Sequence, residues 1–189
     1  MKICGITSPA DALLAEAAGA DAIGVVLFSA SPRCVALESA REIFDAVPAL
    51  TRVCVTHSTD PGELRSICAI RPDALQISCK ASVPSTCRAE IIRMVSPMDS
   101  LPLEADTLIV DGSHGTGQRF DQAFASRVVR TAGVPVLLAG GLTPDNVGAA
   151  IRAVQPHGVD VASGVEYEPG RKDQEKVMTF VIAAREAGL

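Results

Sequence analysis

Two side chains in this sequence sit where a proton could be moved. Cys4 lies in the opening run MKICGIT (1–7), a thiol followed by a glycine within a short apolar strand. Asp111 closes a second apolar run, TLIVD (107–111), and leads into GSHGTG (112–117). A thiol whose ordinary pKa is about 8.5 becomes a usable base once a lysine or a helix dipole favours its thiolate. The other reading of Cys4 is an inert core residue, because free cysteine is among the most buried residue types. An aspartate ending an apolar strand is poorly solvated, which raises its pKa and suits it to donate a proton. Otherwise it caps a helix or ties down its loop.

A second kind of chemistry is anion binding. LAGGLTPDN (138–146) has two adjacent glycines, and VASGVE (161–166) adds a hydroxyl and another bare amide. Backbone N–H groups there can approach a phosphate closely, although glycines also simply turn a chain. Arg33, in SASPR (29–33), is either a surface arginine or a planar fork able to grip a carboxylate. GSHGTG lacks the order and the lysine of a nucleotide P-loop. His57, His114 and His157 have no metal-ligand spacing, so no metal is expected.

Eight short apolar runs must position these groups: 2–7, 19–28, 52–56, 71–78, 90–95, 104–112, 134–140 and 157–165. Near-continuous apolar strands imply burial on both faces, as in a parallel sheet. Asp21, Asp73, Asp106 and Asp160 recur at or near the starts of every second run. Helical signals fill most of the gaps, at 9–18, 37–47, 60–70, 120–131, 144–154 and 172–187, with Ser8-Pro9 opening the first and Gly19 closing it. PSTCRA and PMDSLPLE, in the fourth and fifth crossovers, are short and proline-bearing. The alternation predicts a compact α/β fold, a (β/α)8 TIM barrel with helices 4 and 5 short or degenerate, rather than an open doubly wound sheet. One domain, 1–189, is expected. In such a barrel the strand C-termini form the active-site face, and the loops after strands seven and eight often hold phosphate. If Asp111 points inward, alternation also sends Ile109 inward and Leu108 and Val110 outward, and the same logic puts Cys4 inward and Ile3 outward.

Composition removes several classes. Lys+Arg 17 against Asp+Glu 22 gives a net charge of −5 without a basic tract, which argues against nucleic acid. No apolar stretch approaches the ~18 residues of a membrane span, and no secretory leader is visible, so a cytoplasmic protein is expected. The six cysteines then read as reduced thiols, mostly core filler.

Taken together, KICGIT (2–7), the SPR loop (31–33), VDGSHGTGQRFD (110–121), LLAGGLTPDNV (137–147) and VDVASGVEYEPGRKD (159–173) resemble the phosphoribosylanthranilate isomerase family, in order and over almost the whole chain. The resemblance implies a cofactor-free Amadori rearrangement of N-(5-phosphoribosyl)anthranilate to 1-(2-carboxyphenylamino)-1-deoxyribulose 5-phosphate, a step of tryptophan biosynthesis. It implies Cys4 as general base and Asp111 as general acid, with Arg33 on the anthranilate carboxylate. Gly141, Ser163 and Gly164 would hold the phosphate, while Lys2 and Asp160 orient these groups. A small-molecule phosphosugar is the expected partner of a monomer or homodimer. Two positions depart from the family pattern: Ser78 and Gln122 stand where histidine and tryptophan are usual. They keep two alternatives in view, an isomerase for a different aminoaldose phosphate and a non-catalytic phosphosugar-binding paralogue.

Overall fold

The computed structural model describes residues 1–78, 81–97, 104–111 and 121–189. The loop 112–117 with His114, residue Cys79 and most of PMDSLPLE lie outside the described residues. Each of the eight apolar runs contains a strand: β1 (Lys2–Cys4), β2 (Ala22–Val26), β3 (Thr51–Val55), β4 (Ala74–Ser78), β5 (Glu90–Val95), β6 (Thr107–Asp111), β7 (Val136–Ala139) and β8 (Gly158–Val161). All pair in parallel with their neighbours, and β8 returns to β1, closing the barrel. Six helices are described, α1 (Pro9–Ala18), α2 (Leu37–Ala46), α3 (Pro61–Ala69), α4 (Gln122–Thr131), α5 (Val147–Val154) and α6 (Gln174–Glu186). In the fourth crossover, residues 81–89 make a turn and no helix. A small antiparallel hairpin, β9 (Glu166–Glu168) with β10 (Arg171–Lys172), follows a 3-10 turn at Ser163–Val165. That hairpin has no counterpart among the expected elements.

Local signals explain the helix ends. Ser8 accepts the Asp11 N–H, Pro9 fills the first turn, and Gly19 closes α1 in the left-handed region at φ 89°. Asp60, Asp121 and Asp173 cap α3, α4 and α6 in the same way.

The recurring aspartates have a structural cause. Asp73, just before β4, accepts the Arg52 N–H at 2.8 Å while its own N–H donates to the Arg52 carbonyl at 3.0 Å. Asp106 clasps Ile91 in the same reciprocal way, at 2.8 and 2.9 Å. Asp21 does so with Met1. Each even strand is thereby pinned to the start of the preceding odd one. The fourth member of the series is not Asp160. His157 supplies it, its Nδ1 accepting the Val136 N–H at 3.1 Å, and Asp160 lies three residues on, inside the barrel. Replacing Asp106 by alanine removes one such bond from an exposed carboxylate, and should lower unfolding stability by about 1 kcal/mol in denaturant titrations.

Two apolar layers result. Ile3, Leu108, Val110 and their neighbours pack outward against the helices. Cys4, Val26, Val53, Val55, Ala74, Ile92, Ile109 and Ala139 fill the interior. The inward and outward assignments on β1 and β6 hold. Aliphatic and small residues fill the barrel interior, in keeping with an aromatic share of only 3%.

Candidate active site

At the C-terminal ends of β6, β7 and β8 a cavity is lined by Asp111, Gly140, Gly141, Leu142, Asp160, Ser163 and Gly164, with Arg33 reaching over from the loop after β2. Six of the eight residues singled out in the sequence therefore share one wall. The other two, Cys4 and Lys2, lie deeper. Cys4 is 7% exposed and Lys2 2%. β1 and β6 are three strands apart round the barrel, with the two glycine-bearing strand ends between them.

The phosphate-type loops are built by glycine geometry. Gly140 and Gly141 have φ of 95° and 62°, the left-handed region that glycine enters without steric cost. Asn146 braces that turn, its Nδ2 donating to the Gly141 carbonyl at 2.9 Å and its Oδ1 accepting the Thr143 N–H at 2.9 Å. Gly164 packs against the same loop so closely that a Cβ there would stand 1.9 Å from the Leu142 carbonyl oxygen.

Beneath the cavity the inward face of β1 carries charge. Lys2 Nζ donates to Asp160 Oδ1 at 2.8 Å and to Gln76 Oε1 at 2.9 Å. The Lys2 ammonium is thus held by protein, and Lys2 is not among the cavity-lining residues. Burial opposes the Lys2 charge, but Asp160 and Cys4 outweigh it and its pKa goes up. Burial pushes the Cys4 thiol up, helped by Asp160 and opposed by Lys2 and Lys172. The lysine alone does not make Cys4 a resting thiolate. Gly24 on β2 makes room for both side chains: a Cβ there would lie 2.8 Å from Cys4 Sγ.

Arg33 is already engaged within this chain. Its Nε and Nη2 donate to Glu166 Oε1 and Oε2 at 2.8 and 2.7 Å, so the fork grips a carboxylate of this chain. That hydrogen bonding raises the Arg33 pKa. Its stem crosses Gly5, where φ is +72° and a Cβ would come within 2.4 Å of Arg33 Cδ. The glycine after the thiol is what lets the arginine reach the mouth.

The comparisons with known proteins follow this geometry. The family model for N-(5'phosphoribosyl)anthranilate (PRA) isomerase matches residues 1–183. The chain belongs to the phosphoribosylanthranilate isomerase family. The N-(5'-phosphoribosyl)anthranilate isomerase of Methanoregula boonei is 54% identical over 189 residues, 99% of this chain and 97% of the relative. Among solved structures, phosphoribosyl anthranilate isomerase from Thermus thermophilus superposes with a TM-score of 0.84 at 35% identity, over 98% of each chain. A further phosphoribosyl anthranilate isomerase, solved with reduced 1-(o-carboxyphenylamino)-1-deoxyribulose 5-phosphate, gives 0.77 at 29% identity over 98% of this chain and 97% of that one.

Within this isomerase-family barrel, Ser78 ends β4 and is half-buried, while Gln122 is the exposed first residue of α4. Neither lines the cavity described above. Among the described residues no group of three or more His, Cys, Asp or Glu is placed to hold a metal. No described helix is long and apolar enough to cross a membrane.

Sequence reasoning passed over Glu166, Lys172, Gln76 and Asn146. Glu166 accepts from Arg33 and, at 2.9 Å, from Lys172 Nζ, and its side chain is 4% exposed. A glutamate and a lysine flanking the turn-forming YEPG were the available signal. Burial would raise the Glu166 pKa, but the bonds from Arg33 and Lys172 prevail and hold it low. Its stabilising contribution is therefore complete above the unfolded pKa of about 4.3 and fades as pH falls through the lower folded value. Glu166→Gln leaves two cations facing each other, and should cost about 3–5 kcal/mol at neutral pH, as broken buried pairs do. It should also flatten the acid limb of stability against pH, measured by denaturant midpoints between pH 3 and 7.

Proposed function

We infer that this chain is an N-(5′-phosphoribosyl)anthranilate isomerase, an aldose–ketose isomerase of tryptophan biosynthesis. The observation that carries the reading is the grouping of Asp111, the two glycine loops and the Cys4 strand at one barrel mouth in a chain of this family. The phosphate sits on the amides of Gly141 and Gly164 and the Ser163 hydroxyl, which anchors the sugar between β6 and β1. Asp111 gives a proton to the ribose ring oxygen, and the ring opens to a Schiff base. Cys4 then removes the C2′ proton, and the enolamine relaxes to the ketone. Lys2 and Lys172 stabilise the thiolate when it forms, and Asp160 holds Lys2. Arg33 contributes its remaining N–H groups to the anthranilate carboxylate, oriented by Glu166. No cofactor enters these steps.

The whole chain acts as one domain on a small-molecule phosphosugar in the cytoplasm, as a monomer or homodimer. Two measurements test the assignment. The purified protein should abolish the fluorescence of freshly made phosphoribosylanthranilate, and its gene should restore growth without tryptophan to a host lacking this step. Turnover of another aminoaldose phosphate alone, or phosphosugar binding without product, would overturn it.

A further inference from the structure

Lys172 carries a fully buried side chain beside the site, and the reaction steps give it no contact with substrate. Its side chain is 0% exposed. The ammonium donates to the backbone carbonyl of Cys4 at 2.6 Å, to that of Ala162 at 3.2 Å and to Glu166 Oε1 at 2.9 Å. Three donors meet three acceptors, so the group is saturated. Its partners are the last residue of β1 and the residue between β8 and Ser163-Gly164. One ammonium therefore bolts the strand carrying the base to the strand carrying half of the phosphate loop. It does so from β10, in a hairpin outside the barrel.

We propose that Lys172 is a positioning residue for the isomerisation, holding Cys4 at its distance from the phosphate loop and supplying the positive field in which the thiolate forms. The role rests on the functional reading above. The surroundings of Cys4 leave few alternative sources of that field. Lys2 on the same strand also opposes the rise at Cys4, but its charge is balanced by Asp160 of β8, as that of Arg33 is by Glu166. β2 offers only Gly24 at this level, and β4 offers the neutral Gln76. Asp111 on β6 adds negative charge at the cavity. With Glu166 shared between two cations, Lys172 and Arg33 leave one net positive charge beside the thiol. Burial pulls the Lys172 pKa down, while Glu166 and Cys4 act to keep the charge, and Lys172 in turn opposes the rise at Cys4.

The test uses the full chain and needs no turnover. Cys4 alkylation by iodoacetamide is followed by peptide mass analysis across pH 6–10 in wild type, Lys172→Gln and Lys172→Arg. Gln keeps a donor without charge, and Arg keeps the charge. The inflection in K172Q should move up by about one pH unit, a roughly tenfold slower alkylation near neutrality, and K172R should recover most of it. In turnover, K172Q should lose kcat by more than it raises KM, and the alkaline shift should reappear in kcat/KM. If K172Q does not fold, K172R against wild type still reads the position of the charge, and identical Cys4 profiles for those two with unequal kcat would support the positioning half alone. An unshifted Cys4 profile in folded K172Q overturns the proposal. If wild type consumes no phosphoribosylanthranilate yet the K172Q profile shifts, the field at Cys4 stands and the assigned reaction falls.

Discussion

Asp111→Asn should lower kcat/KM by about 10²- to 10⁴-fold, and Cys4→Ala by a similar factor, with neither change abolishing substrate binding. The asparagine keeps the shape and the hydrogen-bonding reach of Asp111 at the cavity wall but cannot deliver a proton to the ring oxygen. The alanine removes the only group on the inner face of β1 at the mouth that can take a proton from carbon, because Lys2 is engaged by Asp160 and Gln76. The two losses fall on different steps. Ring opening precedes proton removal, so D111N should stall on the closed sugar. C4A should let the ring open and reclose without producing the ketone. Stopped-flow fluorescence separates these, and far-ultraviolet circular dichroism checks that both variants stay folded. Because the acid and the base act in sequence on one molecule, the double variant should be little worse than the slower single one. Full turnover by either single variant would remove that residue from its role.

How far the sequence reached is instructive in its unevenness. The eight strands were legible because each is buried on both sides and so is written almost wholly in aliphatic residues. With Asp111 pointing inward, the period of two places Ile109 with it and Leu108 and Val110 outside. The aspartate series pointed correctly to a two-strand repeat and misled only at its end. A repeat read as composition cannot tell a clasp outside the strand from a charge inside it, and at the fourth position His157, not Asp160, makes the clasp. The buried ion network was illegible for a different reason. Glu166 and Lys172 meet across the β9–β10 turn, and both reach Arg33 or Cys4 through contacts more than a hundred residues apart in sequence. Charged residues in a polar stretch read as solvated surface until the fold buries them. The same blindness made Arg33 look like a free fork, when two of its five N–H donors were already spent on Glu166.

Gly164→Ala should cost about 10²-fold in kcat/KM, chiefly through KM. The added Cβ would stand 1.9 Å from the Leu142 carbonyl oxygen, 2.9 Å from its carbon and 3.2 Å from Thr143 Cα. All three are backbone atoms, so no side chain can swing away to relieve the contact. Carbon and oxygen need more than 3 Å, so the β8 loop and the β7 loop must separate by over an ångström. Those loops are the two halves of the proposed phosphate site, and Gly141 in the β7 loop is already fixed by Asn146. An ångström of misplacement at a positioning group is worth about 10²-fold in rate constants. The loss should be specific to the phosphate end. Orthophosphate should inhibit wild type competitively and inhibit G164A far more weakly. Equal orthophosphate inhibition of the two proteins would mean that the anion sits elsewhere at the barrel mouth, and the roles given to Ser163 and Gly164 would go with it.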